Sequence, residues 1–183
     1  MYNTINMQRL SALLKQYDEL LDAGSMIPGF FVAWQFLDTI PVPAFMYMLM
    51  CVCSIVYHCF NHFHGYMLEL FKVDVSSQIA FAISVACHRT VFDNIPWLRN
   101  AFIGMLCVYF YTVAFRKNTE RQLVIAIGGL NIFLTSIKFW MHWVVTFSFF
   151  IISERFLIPH VDSIFHILCH IGIYKTLKWI QES

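Results

Sequence analysis

Ser54 and His58 stand four residues apart inside the apolar run Phe45–Phe60. Four residues advance an α-helix by about 400°, so the hydroxyl and the imidazole share a face, separated by roughly 6 Å of rise. Polar groups inside an apolar membrane helix are costly and require partners. Two further polar clusters occur at Asp74 and at Asp162/His166/His170, the latter an i, i+4, i+8 stripe. Imidazole and carboxylate are zinc ligands, and a catalytic zinc takes three protein ligands and leaves a position open for water. His58, His166 and one neighbour would supply the three. Asp74 would hold and deprotonate the water, and the Ser54 hydroxyl would donate to a developing oxyanion. Each residue also has an ordinary structural role. A Ser in a membrane helix bonds its own i−4 carbonyl, a helix-end His sits at the interface, and Asp74 caps a helix.

The composition defines the medium in which these residues work. Hydrophobic residues make up 59% of the 183 and charged residues 13%, with a mean hydropathy of +0.64. Such values belong to an integral membrane protein. A net charge of +1, with the twelve Lys and Arg scattered, offers no basic field for nucleic acid. The six cysteines lie singly or as a short CxC inside apolar segments, where Cys packs as a small hydrophobe rather than forming disulfides or a metal framework. No cleavable signal peptide is expected, because a polar amphipathic segment precedes the first apolar run near Met26.

The elements that must position the polar clusters follow from the apolar periodicity. Met7–Leu21 carries Leu10, Leu13, Leu14, Tyr17, Leu20 and Leu21 at helical spacing, with Arg9, Lys15, Asp18 and Glu19 between them, as in an interfacial helix. Ala23–Ser25 ends it. Seven spans are then expected: Ile27–Ile40, Pro41–Asn61, Asp74–Val91, Trp97–Phe115, Gln122–Lys138, Phe139–Ile152 and Val161–Ile180. Asp93-Asn94-Ile95-Pro96 is a turn. Residues 1–24 thus form an N-terminal amphipathic segment and 25–183 an all-α, seven-helix transmembrane domain. Seven spans bring the three polar clusters to one membrane side. That side carries seven basic residues (Arg9, Lys15, Lys72, Arg116, Lys117, Arg121, Arg155) against five, an excess that favours a cytosolic N-terminus. Trp97, Trp140, Trp143 and Trp179 are assigned to an interfacial belt, and His62, His64, His88, His142 and His160 to interfacial anchoring.

Ser54-x-x-x-His58, Asp74 in Leu70-Phe71-Lys72-Val73-Asp74, and Asp162-Ser163-Ile164-Phe165-His166 together resemble the CREST superfamily of seven-span proteins. Its branches include alkaline ceramidases, the adiponectin and progestin receptor (PAQR) family and a myomaker-like group. Glu154-Arg155-Phe156 before the last span also looks like the receptor branch. The resemblance implies a zinc held by three histidines, with a Ser and an Asp flanking the metal-bound water, and hydrolysis of a lipid amide or ester. Carried over residue by residue, it makes His58 and His166 ligands, Asp74 the water-positioning base and Ser54 a supporting donor. This chain departs from the pattern at Asp162, which stands where the family has the first His of His-x-x-x-His. The third ligand is then Asp162, or His170 from one turn deeper, with depth favouring Asp162. The expectation is a multi-pass membrane hydrolase taking its lipid, ceramide-like at best guess, from the bilayer. The alternative is a non-enzymatic receptor-like or membrane-remodelling relative.

Overall fold

A computed structural model describes residues 17–64, 67–90, 92–115, 137–156 and 161–182, with only the backbone described for 153–156 and 161–162. The described residues are helical, joined by turns. Residues 17–25 form a leading helical segment that turns at Met26. It is followed by α1 (Ile27–Trp34), α2 (Pro41–His64), α3 (Leu68–His88), α4 (Pro96–Phe115), a 3-10 turn (Ile137–Phe139), α5 (Trp140–Phe156) and α6 (Val161–Gln181).

Among the described residues, α2, α3 and α4 are long and apolar enough to cross a membrane. On α2 the buried positions Pro43, Tyr47, Met50, Ser54 and Tyr57 recur every three or four residues, the period that lays one face against neighbours. α3 packs between α2 and α4 and is buried nearly all round, including Lys72, Asp74, Ser76, Ser77 and Ser84. α4 buries Phe102, Leu106, Tyr109 and Val113 and exposes Met105, Val108, Tyr111 and Phe115 on its other side. An exposed apolar stripe of this kind suits lipid contact better than water. α5 and α6 pair with each other, and α1 joins the two halves by packing on both α2 and α6.

The first expected span takes another form. α1 is an eight-residue helix, about 12 Å long at 1.5 Å per residue, well short of a hydrocarbon core of roughly 30 Å. Turns at 35–39 then carry the chain to Pro41. The backbone nevertheless follows α6: His170 bonds the Ser25 carbonyl and Gln181 donates to the Thr39 hydroxyl. Gly29 permits the approach, because a Cβ there would meet Cys51 Sγ and would stand 2.9 Å from His170 Cε1.

Three local expectations are corrected. α3 starts at Leu68, not at Asp74, so Asp74 lies in the second turn and caps nothing. Trp143 is fully buried and lies over Gly172, whose added Cβ would stand 2.8 Å from the indole; it is core, not belt. His142 reaches across to α6, with Nε2 2.8 Å from the Leu168 carbonyl, and so ties two helices rather than anchoring at the interface. Residues 122–136 of the expected fifth span, the Arg116–Arg121 loop and His160 lie outside the described residues, and Ile137 and Lys138 fall in the 3-10 turn.

Candidate metal centre

Glu19, Asp22 and Ser25 are spaced i, i+3, i+6 on the leading helix, so they share one face. That face is wedged between the end of α2 and the start of α6. On the α2 side, His58 Nδ1 lies 2.8 Å from Glu19 Oε2, and the Asn61 amide donates to Glu19 Oε1. On the α6 side, Ser163 donates to Asp22 Oδ1 at 2.8 Å, and Ser25 Oγ meets His166 Nδ1 at 2.9 Å. The side chains of the His58–Glu19 pair are only 13% and 16% exposed, and Asp22 is buried. Their ligand atoms lie within 4.8 Å of one another, so Glu19, Asp22 and His58 could hold a metal ion.

The hydrogen bonds define which imidazole nitrogens are available. Ser25 donates its single hydroxyl proton to the Asp22 carbonyl at 2.7 Å. Its oxygen must therefore accept from His166, which carries its proton on Nδ1 and keeps a lone pair on Nε2. His58 donates Nδ1–H to the Glu19 carboxylate, and in its neutral form its Nε2 keeps a lone pair. This is the arrangement by which protein metal sites orient an imidazole: one nitrogen tied to an oxygen, the other presented to the metal. The two rings lie edge to face with centroids 5.4 Å apart. Sequence spacing alone put His58 and His166 on one side of the membrane; the structure brings them into contact.

His170 is committed elsewhere. Its Nε2 donates to the Ser25 carbonyl at 2.8 Å, and its Nδ1 accepts from the buried Tyr47 hydroxyl. With both nitrogens engaged it has no lone pair to offer, so the deeper alternative for the third ligand is not supported by this geometry. The Asp162 side chain lies outside the described residues. The α6 positions that do reach the leading helix are Ser163, His166 and His170, an i, i+3, i+7 face.

Asp74 is buried, and so is Ser54. The Asp74 Oδ2 accepts from Gln78 at 3.2 Å, whereas Oδ1 is buried and takes no hydrogen bond among the described residues. The Ser54 hydroxyl lies beside the carboxyl, and His58 is within electrostatic range. A buried carboxylate oxygen without a partner is costly and points to a missing proton, water or cation. Through His58 it is linked electrostatically to the group on the leading helix.

Glu19, Asp22, Ser25, Asn61, Ser163 and Tyr47 did not emerge from the sequence as site residues. The available signal was the i, i+3, i+6 spacing of Glu19, Asp22 and Ser25. Charges on an amphipathic helix default to the water face, and only the imidazole, amide and hydroxyl partners on other helices turn this one inward. All six cysteines are free and none joins the group. Comparison with protein-family models, curated proteins and solved structures finds no match to this chain.

Proposed function

We propose that this chain is a multi-pass membrane hydrolase that uses a bound zinc to cleave the amide or ester bond of a membrane lipid, in the manner of the CREST superfamily it resembles. The observation that carries the proposal is the contact of two imidazoles, His58 and His166, each tied through Nδ1 to the leading helix, where His58 with Glu19 and the buried Asp22 forms a group that could hold a metal ion. The donor set of nitrogen and carboxylate oxygen matches zinc. His58 and His166 would hold it through Nε2, with Asp22 as the oxygen ligand the donor set still needs, since both Glu19 oxygens are taken by His58 Nδ1 and the Asn61 amide. A zinc there supplies Lewis acidity to the scissile carbonyl and acidifies water.

The chain's own groups supply the rest. Asp74 Oδ1, buried and unpartnered, accepts the proton of the attacking water as its oxygen bonds the acyl carbon. The same proton then passes to the leaving amine or alkoxide as the C–N or C–O bond breaks. Ser54 donates to the oxyanion that develops on the carbonyl oxygen. Beside His166, a groove of about 240 Å³ between α1 and α6 is lined by Pro28, Val32, Ile167, His170, Ile171 and Tyr174, where the acyl chain would lie.

Metal analysis of detergent-purified protein, read together with a lipid hydrolysis screen, tests the proposal. About one zinc per chain is expected, absent from a folded His58→Ala/His166→Ala variant. Full zinc occupancy in that variant overturns it.

A further inference from the structure

At the end of the helix pack opposite the metal centre, two cations converge on one buried indole. Trp179 is 7% exposed and lies sixteen residues along α6 from Ser163, about 24 Å by helical rise. Arg89, in extended backbone immediately after α3, donates from Nη1 to the Trp179 carbonyl at 2.7 Å. Its guanidinium carbon stands 4.5 Å from the indole centroid. Lys138, from the 3-10 turn before α5, places Nζ 5.6 Å from the same centroid and 5.9 Å from that of Phe139.

These two charges lie within about one Debye length of each other, roughly 10 Å at 0.1 M salt, and repel. Among the described residues neither makes an ion pair. The nearby acid Asp93 is engaged by Arg99 at 3.6 Å and by Thr90. Arg99 therefore has its counter-charge, whereas Arg89 and Lys138 share one indole that offsets only part of theirs. Arg89 keeps Nε and Nη2 for a further acceptor, in the fork that matches a phosphate. Trp97 and Trp140 are exposed at the same end and mark the depth of lipid headgroups.

We infer that Arg89, Lys138 and Trp179 form a binding site for a phosphate group presented at the membrane interface, the phosphodiester of an anionic lipid. The site shares with the function proposed above only the membrane setting, and its test needs no catalysis. The guanidinium and the ammonium both donate to the phosphate, and the indole holds both cations in place.

Native mass spectrometry of the full chain in detergent, titrated with phosphatidylglycerol, reads the site directly. Arg89→Gln/Lys138→Gln should weaken lipid binding at least tenfold, and Lys138→Gln alone, at an exposed side chain, several-fold. Lys175→Gln/Lys178→Gln removes the same charge from exposed positions on α6 and should change binding less than threefold. An equal loss in both double variants would reduce the site to a diffuse basic field and overturn the inference, as would unchanged binding in Lys138→Gln. Inorganic phosphate and phosphatidylcholine are the remaining arms. Displacement of phosphatidylglycerol by an equal concentration of inorganic phosphate assigns the site to free phosphate rather than lipid. Equal binding of phosphatidylcholine removes the selectivity that two unpaired cations demand.

Discussion

The Ser25 hydroxyl is committed to the Asp22 carbonyl at 2.7 Å, so His166, 2.9 Å away through Nδ1, must be the donor in the Ser25–His166 bond. A residue with no chemistry of its own thereby determines the tautomer of a candidate ligand. Ser25→Ala should leave the helices folded and weaken zinc binding roughly 10- to 100-fold, the usual consequence of losing a group that orients a ligand. Competition with a chelator measures it. Unchanged affinity would remove His166 Nε2 from the ligand set.

The Tyr47–His170 pair should act on stability instead. Its bonds latch the Ser25 carbonyl, and with it the carboxylate-bearing helix, onto α6. Tyr47→Phe and His170→Ala each leave a buried polar group without its partner, at a cost of about 1–3 kcal/mol. Both should melt at lower temperature in detergent while retaining zinc close to the parent level. Loss of zinc from His170→Ala in a protein that melts normally would return His170 to the ligand set.

Asp74→Asn separates proton transfer from packing. Asn keeps an oxygen for the Gln78 amide but cannot accept the proton from water. Turnover of a lipid amide should fall by roughly 10²- to 10⁴-fold, the range for loss of a general base, with zinc content unchanged. Because α3 begins at Leu68, a loss of helix capping cannot account for such a drop. Retained turnover would reduce Asp74 to a packing residue.

The helices were legible where apolar periodicity was long and uninterrupted. α2 and α4 start within a residue of their expected positions. α3 begins six residues early, because Glu69 and Lys72 read as loop although a helix end tolerates charge and pairs them at i, i+3. The Ile27–Ile40 run read as a crossing helix, since hydropathy cannot register that the helix ends at Trp34 and that turns carry the chain to Pro41. In the site, His58 and His166 stood out because histidine inside an apolar run is expensive. Glu19 and Asp22 did not, since acids on a surface helix are commonplace until their partners on α2 and α6 are known. Trp143 read as belt for the same reason: its burial depends on Gly172, twenty-nine positions away in sequence and opposite it in space.

The groove between α1 and α6 should set the preference for acyl chain length. It is an open groove of about 240 Å³ whose lining is apolar apart from His170 and the Tyr174 hydroxyl, the surface a hydrocarbon segment would lie along. Ile167, next to His166, opens it, and Ile171 and Tyr174 continue it one and two turns deeper along α6. Tyr174 packs against Phe36 with ring centroids 5.7 Å apart, which closes the far end. Ile171→Trp would fill the middle from an exposed position outside the packed core, so the fold should survive. Excluding two or more methylenes, at about 0.8 kcal/mol each, should lower kcat/KM for a long-chain amide by roughly tenfold or more. A short-chain amide should be cleaved at the parental rate, and zinc should remain at one per chain. Tyr174→Ala should act in the opposite sense, opening the far end and shifting the optimum toward longer chains. An equal loss on short and long chains in Ile171→Trp would place the acyl chain elsewhere and leave this groove to bulk lipid.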